Sequence, residues 1–221
     1  SYLQRFAWWA DIMRSAMNID AYNKPYFANV GYFPLYVQPP GTQGGGFGDM
    51  AARSGSDGNG AIMRLFAAQA GNAHWQWYAQ AHRPQRTATD YVGFIRGRQP
   101  APEPRPPTDL PSSRSFRGIG LAALNSNLLD GRQNVQLLFK SSPFGSQSHG
   151  YDANNSFLFY VFGEPLLLSS GQRDIHGSPH HTGWMWQTRS TNNITVNGRG
   201  QTPHSAAAVG RIIAFKSTPD F

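Results

Sequence analysis

Leu3, Phe6, Ala10, Met13 and Met17 recur at intervals of three and four residues, which places them on one face of an α-helix. Trp8 and Trp9 widen that face and predict a helix buried on more than one side, ended by the polar residues at 18–20. Residues 24–40 are aromatic and punctuated by proline, a pattern that predicts short helical pieces. Residues 43–57 are glycine-rich and read as a long surface loop. A second helix is predicted over 60–70, with Ile62, Leu65 and Phe66 inward and Gly71 as its stop. Asn72 is placed to cap a helix over 75–81. Thr89 and Asp90 open another that runs through Phe94 and Ile95.

The pattern then changes. Pro100, Pro102, Pro104, Pro106, Pro107 and Pro111 fall within 99–111. Proline lacks the amide donor that a helix interior or a central strand requires, so this stretch is an extended connection. Beyond it the period shortens to two. Residues 134–140 alternate around Val135, Leu137 and Phe139, and 157–162, 165–168, 193–196 and 211–215 are further short strands. Asn197-Gly198 is a turn signal. The predicted fold class is therefore α+β: a helical domain over 1–98, a proline-rich linker over 99–113, and an antiparallel β-sandwich over 114–221. There is no internal repeat.

Composition narrows the function only slightly. With 19 Lys and Arg against 12 Asp and Glu, the formal charge is +7, which suits an acidic partner. The basic residues are scattered with no Lys/Arg block, which argues against a nucleic-acid arm. The absence of cysteine removes disulfides and thiolate metal sites. No apolar run reaches the roughly 18 residues a membrane span requires. The chain starts at Ser1 inside a helix-like pattern and stops at Phe221 just after a strand-like run. It reads as an internal slice whose partners include the rest of its own polypeptide.

Candidate chemistry is densest between 146 and 201. The words there are Ser148-His149-Gly150-Tyr151-Asp152-Ala153-Asn154-Asn155-Ser156-Phe157, Phe162-Gly163-Glu164-Pro165-Leu166, Gly177-Ser178-Pro179-His180-His181 and Gln187-Thr188-Arg189. Their order and spacing resemble the β-sandwich half of the heparinase II/III-like polysaccharide lyases. Upstream, Phe6-Ala7-Trp8-Trp9-Ala10-Asp11, Gly31-Tyr32-Phe33, 36–41 and Gly46-Phe47-Gly48-Asp49 look like the end of that family's helical part. The resemblance implies the C-terminal end of an incomplete α/α toroid followed by a two-sheet sandwich. It also implies an active site in the cleft between them and a periplasmic or secreted location.

The implied reaction is β-elimination on an anionic, uronate-containing polysaccharide. It needs a base, an acid and a group that neutralises the sugar carboxylate. By resemblance, His149 is the first catalytic candidate, as carboxylate neutraliser or base; otherwise it is a histidine satisfied in a turn. Tyr2 stands where the family often carries its catalytic tyrosine, and is otherwise a core residue at a helix start. Arg189 matches the arginine after Gln-Thr and suits a carboxylate or sulfate, or else a structural ion pair. His180 and His181 follow a Ser-Pro turn, so one can face a cleft while its neighbour faces away. Asn154 is a sugar-binding candidate, though asparagine at a β-edge more often closes a turn. Asp49 orients a sugar hydroxyl or holds its own loop.

Some family members also carry a structural zinc. In the places of its ligands this chain has Tyr151, Ser169 and Thr191. Zinc takes His, Cys, Asp or Glu, so no metal and no cofactor is expected, and the hydroxyls are expected to satisfy one another. Two other classes stay open. One is a non-catalytic carbohydrate-binding or structural relative. The other is a glycoside hydrolase, which would need two opposed carboxylates.

Overall fold

A computed structural model describes residues 2–43, 46–48, 60–82, 96, 100–146, 149 and 154–218. The chain forms two compact units, Ser1–Leu35 with Asp57–Pro107, and Tyr36–Ser56 with Thr108–Phe221.

The first unit is helical. It holds α1 (Tyr2–Met17), most of α2 (Tyr32–Val37), α3 (Gly60–Ala70) and α4 (Ala73–Ala81). The helix expected over 89–95 lies outside the described residues. Trp75 is fully buried and organises this unit. Its backbone N–H is capped by the Asn72 carboxamide at 3.1 Å, as the sequence predicts. Its ring meets Tyr32 edge-on at 5.2 Å, and a side chain at Gly31 would collide with that ring, so only glycine fits there. Along α3, Met63, Leu65, Phe66 and Ala67 are buried.

Helix α1 differs from its expectation. Among its described side chains only Ala7 and Ala10 are fully buried, whereas Trp8 and Trp9 are 43% and 45% exposed. The buried seam is narrow because the Tyr22 hydroxyl stands close, donating to Asp11 at 2.7 Å with the Ala7 carbonyl 3.2 Å away. Small side chains fit under Tyr22, and the indoles project outside that seam. Arg96 completes the cluster with an ion pair to Asp11 at 2.7 Å.

The proline-rich stretch forms neither helix nor strand over 100–106, and its Arg105 backbone N–H donates to the Ala73 carbonyl at the start of α4. Through Pro107 these residues belong to the helical unit.

The second unit is built on one five-stranded antiparallel meander, ordered β1 (Arg114–Phe116), β2 (Leu121–Asn125), β3 (Val135–Lys140), β4 (Ser156–Val161), β5 (Glu164–Leu167). The fold is thus α+β with an antiparallel sheet. One sheet of the expected two-sheet sandwich is formed among the described residues. Strands β1 and β2 were not anticipated, because Arg114–Phe116 is short and Leu121–Asn125 shows no alternation.

The sheet's more deeply buried face is not the one the alternation of Val135, Leu137 and Phe139 suggests. In β3 it is Gln136, Leu138 and Lys140 that are buried, and in β4 Ser156, Leu158 and Tyr160. The reason is that this face receives Tyr36 and Val37, the two residues of α2 that belong to the second unit. Gln136 donates to the Tyr36 and Val37 carbonyls at 3.0 and 3.2 Å, and Asn125 donates to the Tyr36 carbonyl at 3.1 Å. These carbonyls have no partner within the helix, so the amides act as its cap.

Strands β4 and β5 join through Phe162 and Gly163, both at positive φ (55° and 86°), which is the two-residue hairpin geometry that follows the sheet's twist. The Asn197-Gly198 turn also forms, with φ of 52° and 70° and reciprocal hydrogen bonds between Val196 and Arg199. However, 193–196 and 211–215 are not strands. Neither stretch finds a continuous neighbouring ladder among the described residues, and an extended segment without one is not sheet.

Candidate functional site

His149, Asn154, Arg173, His180, His181 and Arg189 all belong to the second unit. His149 is exposed and has φ of 59°, a left-handed conformation that histidine tolerates better than most side chains. The Arg173 guanidinium lies 3.4 Å from its Nδ1, across 24 residues of sequence. A guanidinium can only donate, so Nδ1 accepts and the ring proton resides on Nε2.

A run of ring contacts begins just after Arg173 in the chain. His176 meets His181 at 5.0 Å, His181 meets Trp186 at 5.0 Å, and Trp186 stacks on His204 at 4.0 Å with the planes 7° apart. His204 in turn contacts the Ser146 hydroxyl at 3.4 Å. One end of the run, His176, is close in sequence to Arg173, and the other, His204, contacts Ser146, three residues before His149.

Within the Ser-Pro turn, the two neighbouring histidines do diverge. His181 is buried; Gly177 N–H donates to its Nδ1 at 2.9 Å, and its own N–H donates to the Ser178 hydroxyl. His180 is exposed, with Nδ1 3.4 Å from Asp174. The Asp174 carboxyl is held below its usual range, first by the Ser178 hydroxyl at 2.5 Å and then by backbone N–H groups and His180.

Arg189 is exposed. It donates to the Gly183 carbonyl at 3.3 Å and lies 5.4 Å from the centre of the Trp184 ring. This is a cation–π contact that holds the guanidinium without neutralising it.

Asn154 is buried, and its carboxamide is fully engaged. Its Oδ1 accepts from Ser142 N–H at 2.6 Å and its Nδ2 donates to the Ala208 carbonyl at 2.7 Å. Its backbone carbonyl accepts from Asn193 and Gln201, and its N–H donates to Gln201 Oε1. This residue ties four segments together, the turn-closing role that asparagine commonly takes. It also lines an open groove of about 670 Å³ with Asn155, Asn193, Arg199 and Gln201, while a second groove of about 500 Å³ is lined by Arg117, Ser141 and Arg211. Neither groove includes His149 or Arg189 in its lining.

Tyr2 starts α1, but its side chain lies outside the described residues, and so does Asp49. Of the places where relatives carry zinc ligands, Tyr151 lies outside them too. Thr191 donates to the Thr188 carbonyl at 2.8 Å, closing its own turn, and Ser169 Oγ is buried with no hydrogen-bond partner among the described residues. The hydroxyls of Thr191 and Ser169 therefore do not pair with each other. A neutral hydroxyl engaged in its own turn is a poor zinc ligand, and these residues do not fit that metal.

Arg173, His176, Trp184, Trp186 and His204 were not singled out from sequence. Arg173 sits within the dense stretch, but no spacing rule pairs it with a histidine 24 residues away. The ring contacts likewise depend on chain folding and carry no local signature.

Taken together, a helical unit followed by an antiparallel β unit bearing an exposed histidine–arginine pair is the framework of a toroid-and-sandwich protein. The model of the family described as heparinase II/III-like, C-terminal, matches residues 108–218, and the chain belongs to that family.

Solved structures agree on the fold. A heparinase III gene product matches with a TM-score of 0.56 and 15% identity, over 78% of this chain and 24% of that one. A crystal structure of heparinase III matches with a TM-score of 0.55 and 13% identity, over 81% of this chain and 27% of that one. The heparan sulfate lyase HepC from Pedobacter heparinus matches with a TM-score of 0.56 and 15% identity, over 78% and 24%. The chain therefore spans about a quarter of the length of these structures. No curated protein matches.

Proposed function

We propose that this chain is part of a polysaccharide lyase that cleaves an anionic, uronate-containing glycan by β-elimination. The observation that carries the reading is the exposed His149 with a guanidinium 3.4 Å away, in a β unit matched by the heparinase II/III-like family model. In this reaction the C5–H bond breaks and its proton passes to a base. Electrons move through a carboxylate-stabilised enolate to form the C4=C5 bond. The C4–O bond then breaks, and the leaving oxygen takes a proton. The uphill element is charge on the carboxylate, so donors and cations aimed at that group lower the barrier.

In this reading His149 meets the sugar acid. Tyr2 is the acid, and in some schemes the base as well, a role that rests on the family resemblance alone. Arg189, held over Trp184, and the exposed His180 bind neighbouring acidic groups. Asp49 keeps its proposed place as an orienting group. His181 and Asn154 support the site from within, since their polar atoms are engaged in bonds to backbone. The formal charge of +7 favours a polyanion, with an attraction that salt weakens. The resemblance to a heparan sulfate lyase puts sulfated uronate glycans among the substrates to try first. A periplasmic or secreted location goes with such a polymer.

The test is to offer the intact protein heparan sulfate, hyaluronate and alginate and to record the ultraviolet absorbance of the unsaturated uronate product. Absorbance should grow with at least one polymer and vanish for His149→Ala with the fold intact. An active His149→Ala removes that residue from the mechanism. One observation favours a second reading, a glycan-binding relative without catalysis: the hydroxyl residues where relatives carry zinc ligands, with Thr191 closing its own turn. Binding of acidic glycans with no absorbance gain would select it.

A further inference from the structure

Resting on the reading above, we propose that Arg173 is the positioning residue for His149 and makes that imidazole a hydrogen-bond donor to the sugar carboxylate rather than a base. Three observations support it. First, Arg173 NH2 contacts His149 Nδ1 at 3.4 Å. Arginine stays protonated at any pH of interest and has no lone pair to offer, so Nδ1 is the accepting nitrogen. The remaining nitrogen, Nε2, then carries the proton and donates. A nitrogen that already bears a proton cannot remove one from C5. The base is therefore a different group, and His149 is assigned to charge neutralisation.

Second, the pair is held in place from both sides. Arg173 leads into the segment whose His176 and buried His181 begin the run of ring contacts. The run ends on His204, which contacts Ser146 just upstream of His149. Third, His149 holds a left-handed backbone, with φ of 59°. That conformation is sparsely populated by residues other than glycine and needs surrounding contacts to persist. Through His149 the pair thus presents an N–H to a carboxylate, the group a uronate carries and a neutral sugar lacks.

The experiment is a double-mutant cycle in the intact protein with Arg173→Met, His149→Ala and the combined variant, alongside Arg173→Lys. Probes are oligosaccharides of heparan sulfate, hyaluronate and alginate, each beside its carboxyl-reduced form, with binding measured by calorimetry and turnover by absorbance. Arg173→Met should weaken binding of the acidic probe about 10- to 100-fold, the range expected for loss of a charge-assisted contact. It should leave binding of the carboxyl-reduced form unchanged. Arg173→Lys should recover part of the loss, and the combined variant should be little worse than His149→Ala alone.

Three outcomes would overturn the assignment while leaving the lyase reading intact: Arg173→Met behaves as the parent, the two losses multiply, or the carboxyl-reduced probe suffers equally. If Arg173→Met does not fold, Arg173→Lys decides by the same comparison. If the parent protein neither binds nor cleaves any acidic probe, the lyase reading fails and the assignment falls with it.

Discussion

His74 and Arg105 hold each other by both ends of the imidazole. The Arg105 guanidinium lies 3.0 Å from His74 Nε2, and His74 Nδ1 lies 3.0 Å from the Arg105 carbonyl. Only one tautomer satisfies both contacts, with Nε2 accepting and Nδ1–H donating. His74 is 5% exposed on α4, so the pair fixes the proline-rich segment to the helix. Replacing His74 with Ala should cost about 1–3 kcal/mol, and the loss should not add to that of Arg105→Ala. Denaturant unfolding of the two single variants and the double variant measures the coupling; strict additivity would show that the segment is held by other contacts.

Gln136 and Asn125 place amide groups on a buried sheet face in order to reach the last carbonyls of α2. Gln136→Leu keeps the volume and removes the donor, leaving buried carbonyls short of partners. A loss of about 1–3 kcal/mol is expected even though leucine is the more apolar residue. If Gln136→Leu instead stabilises the protein, as a simple hydrophobic core would have it, the capping role is wrong. Thermal melting monitored by circular dichroism suffices.

Asn154 separates structure from recognition. Both ends of its buried side chain bond backbone, so Asn154→Ala should lower the melting temperature and weaken acidic and carboxyl-reduced glycans alike. A variant that melts normally yet loses only glycan affinity would return Asn154 to the binding surface.

Tyr160 sets an alkaline limit. Burial pushes its hydroxyl from an ordinary 10.0 up to about 12. The folded state thus favours the protonated phenol, and this contribution is complete below pH 10, where the unfolded chain also stays protonated. It is lost as pH rises from about 10 to about 12, amounting to about 2–3 kcal/mol for a shift of this size. Tyr22, raised first by burial and then by its bond to Asp11, works in the same direction. Melting temperatures between pH 8 and pH 12 should fall steeply in the parent chain and less steeply in Tyr160→Phe. Parallel curves would mean that Tyr160 does not titrate against folding.

Much of the helical half was legible from sequence. The spacing of Leu65 and Phe66, the stop at Gly71 and the cap at Asn72 are local features, and each acts within a few residues of itself. The hairpin strands β3, β4 and β5 were readable for the same reason, and so was the Asn197-Gly198 turn. The exposure of Trp8 and Trp9 was not, because a helix periodicity marks an apolar face without stating how much of it a neighbour covers. Nor was the failure of 193–196 and 211–215 to form strands, because β-propensity describes a chain that fits a sheet and says nothing about whether a partner strand is present.

By itself the order of residues determined the class of chain, its period change after the prolines and the histidine word around His149, since these depend on local geometry and on the sequence of side chains alone. Tertiary structure decided which face of β3 is buried, that Asn154 and His181 are engaged internally, and that Arg173 meets His149. Those outcomes depend on contacts between residues far apart in the chain. Such a contact forms when packing brings two groups within about 3 Å of each other, a condition that no local pattern encodes.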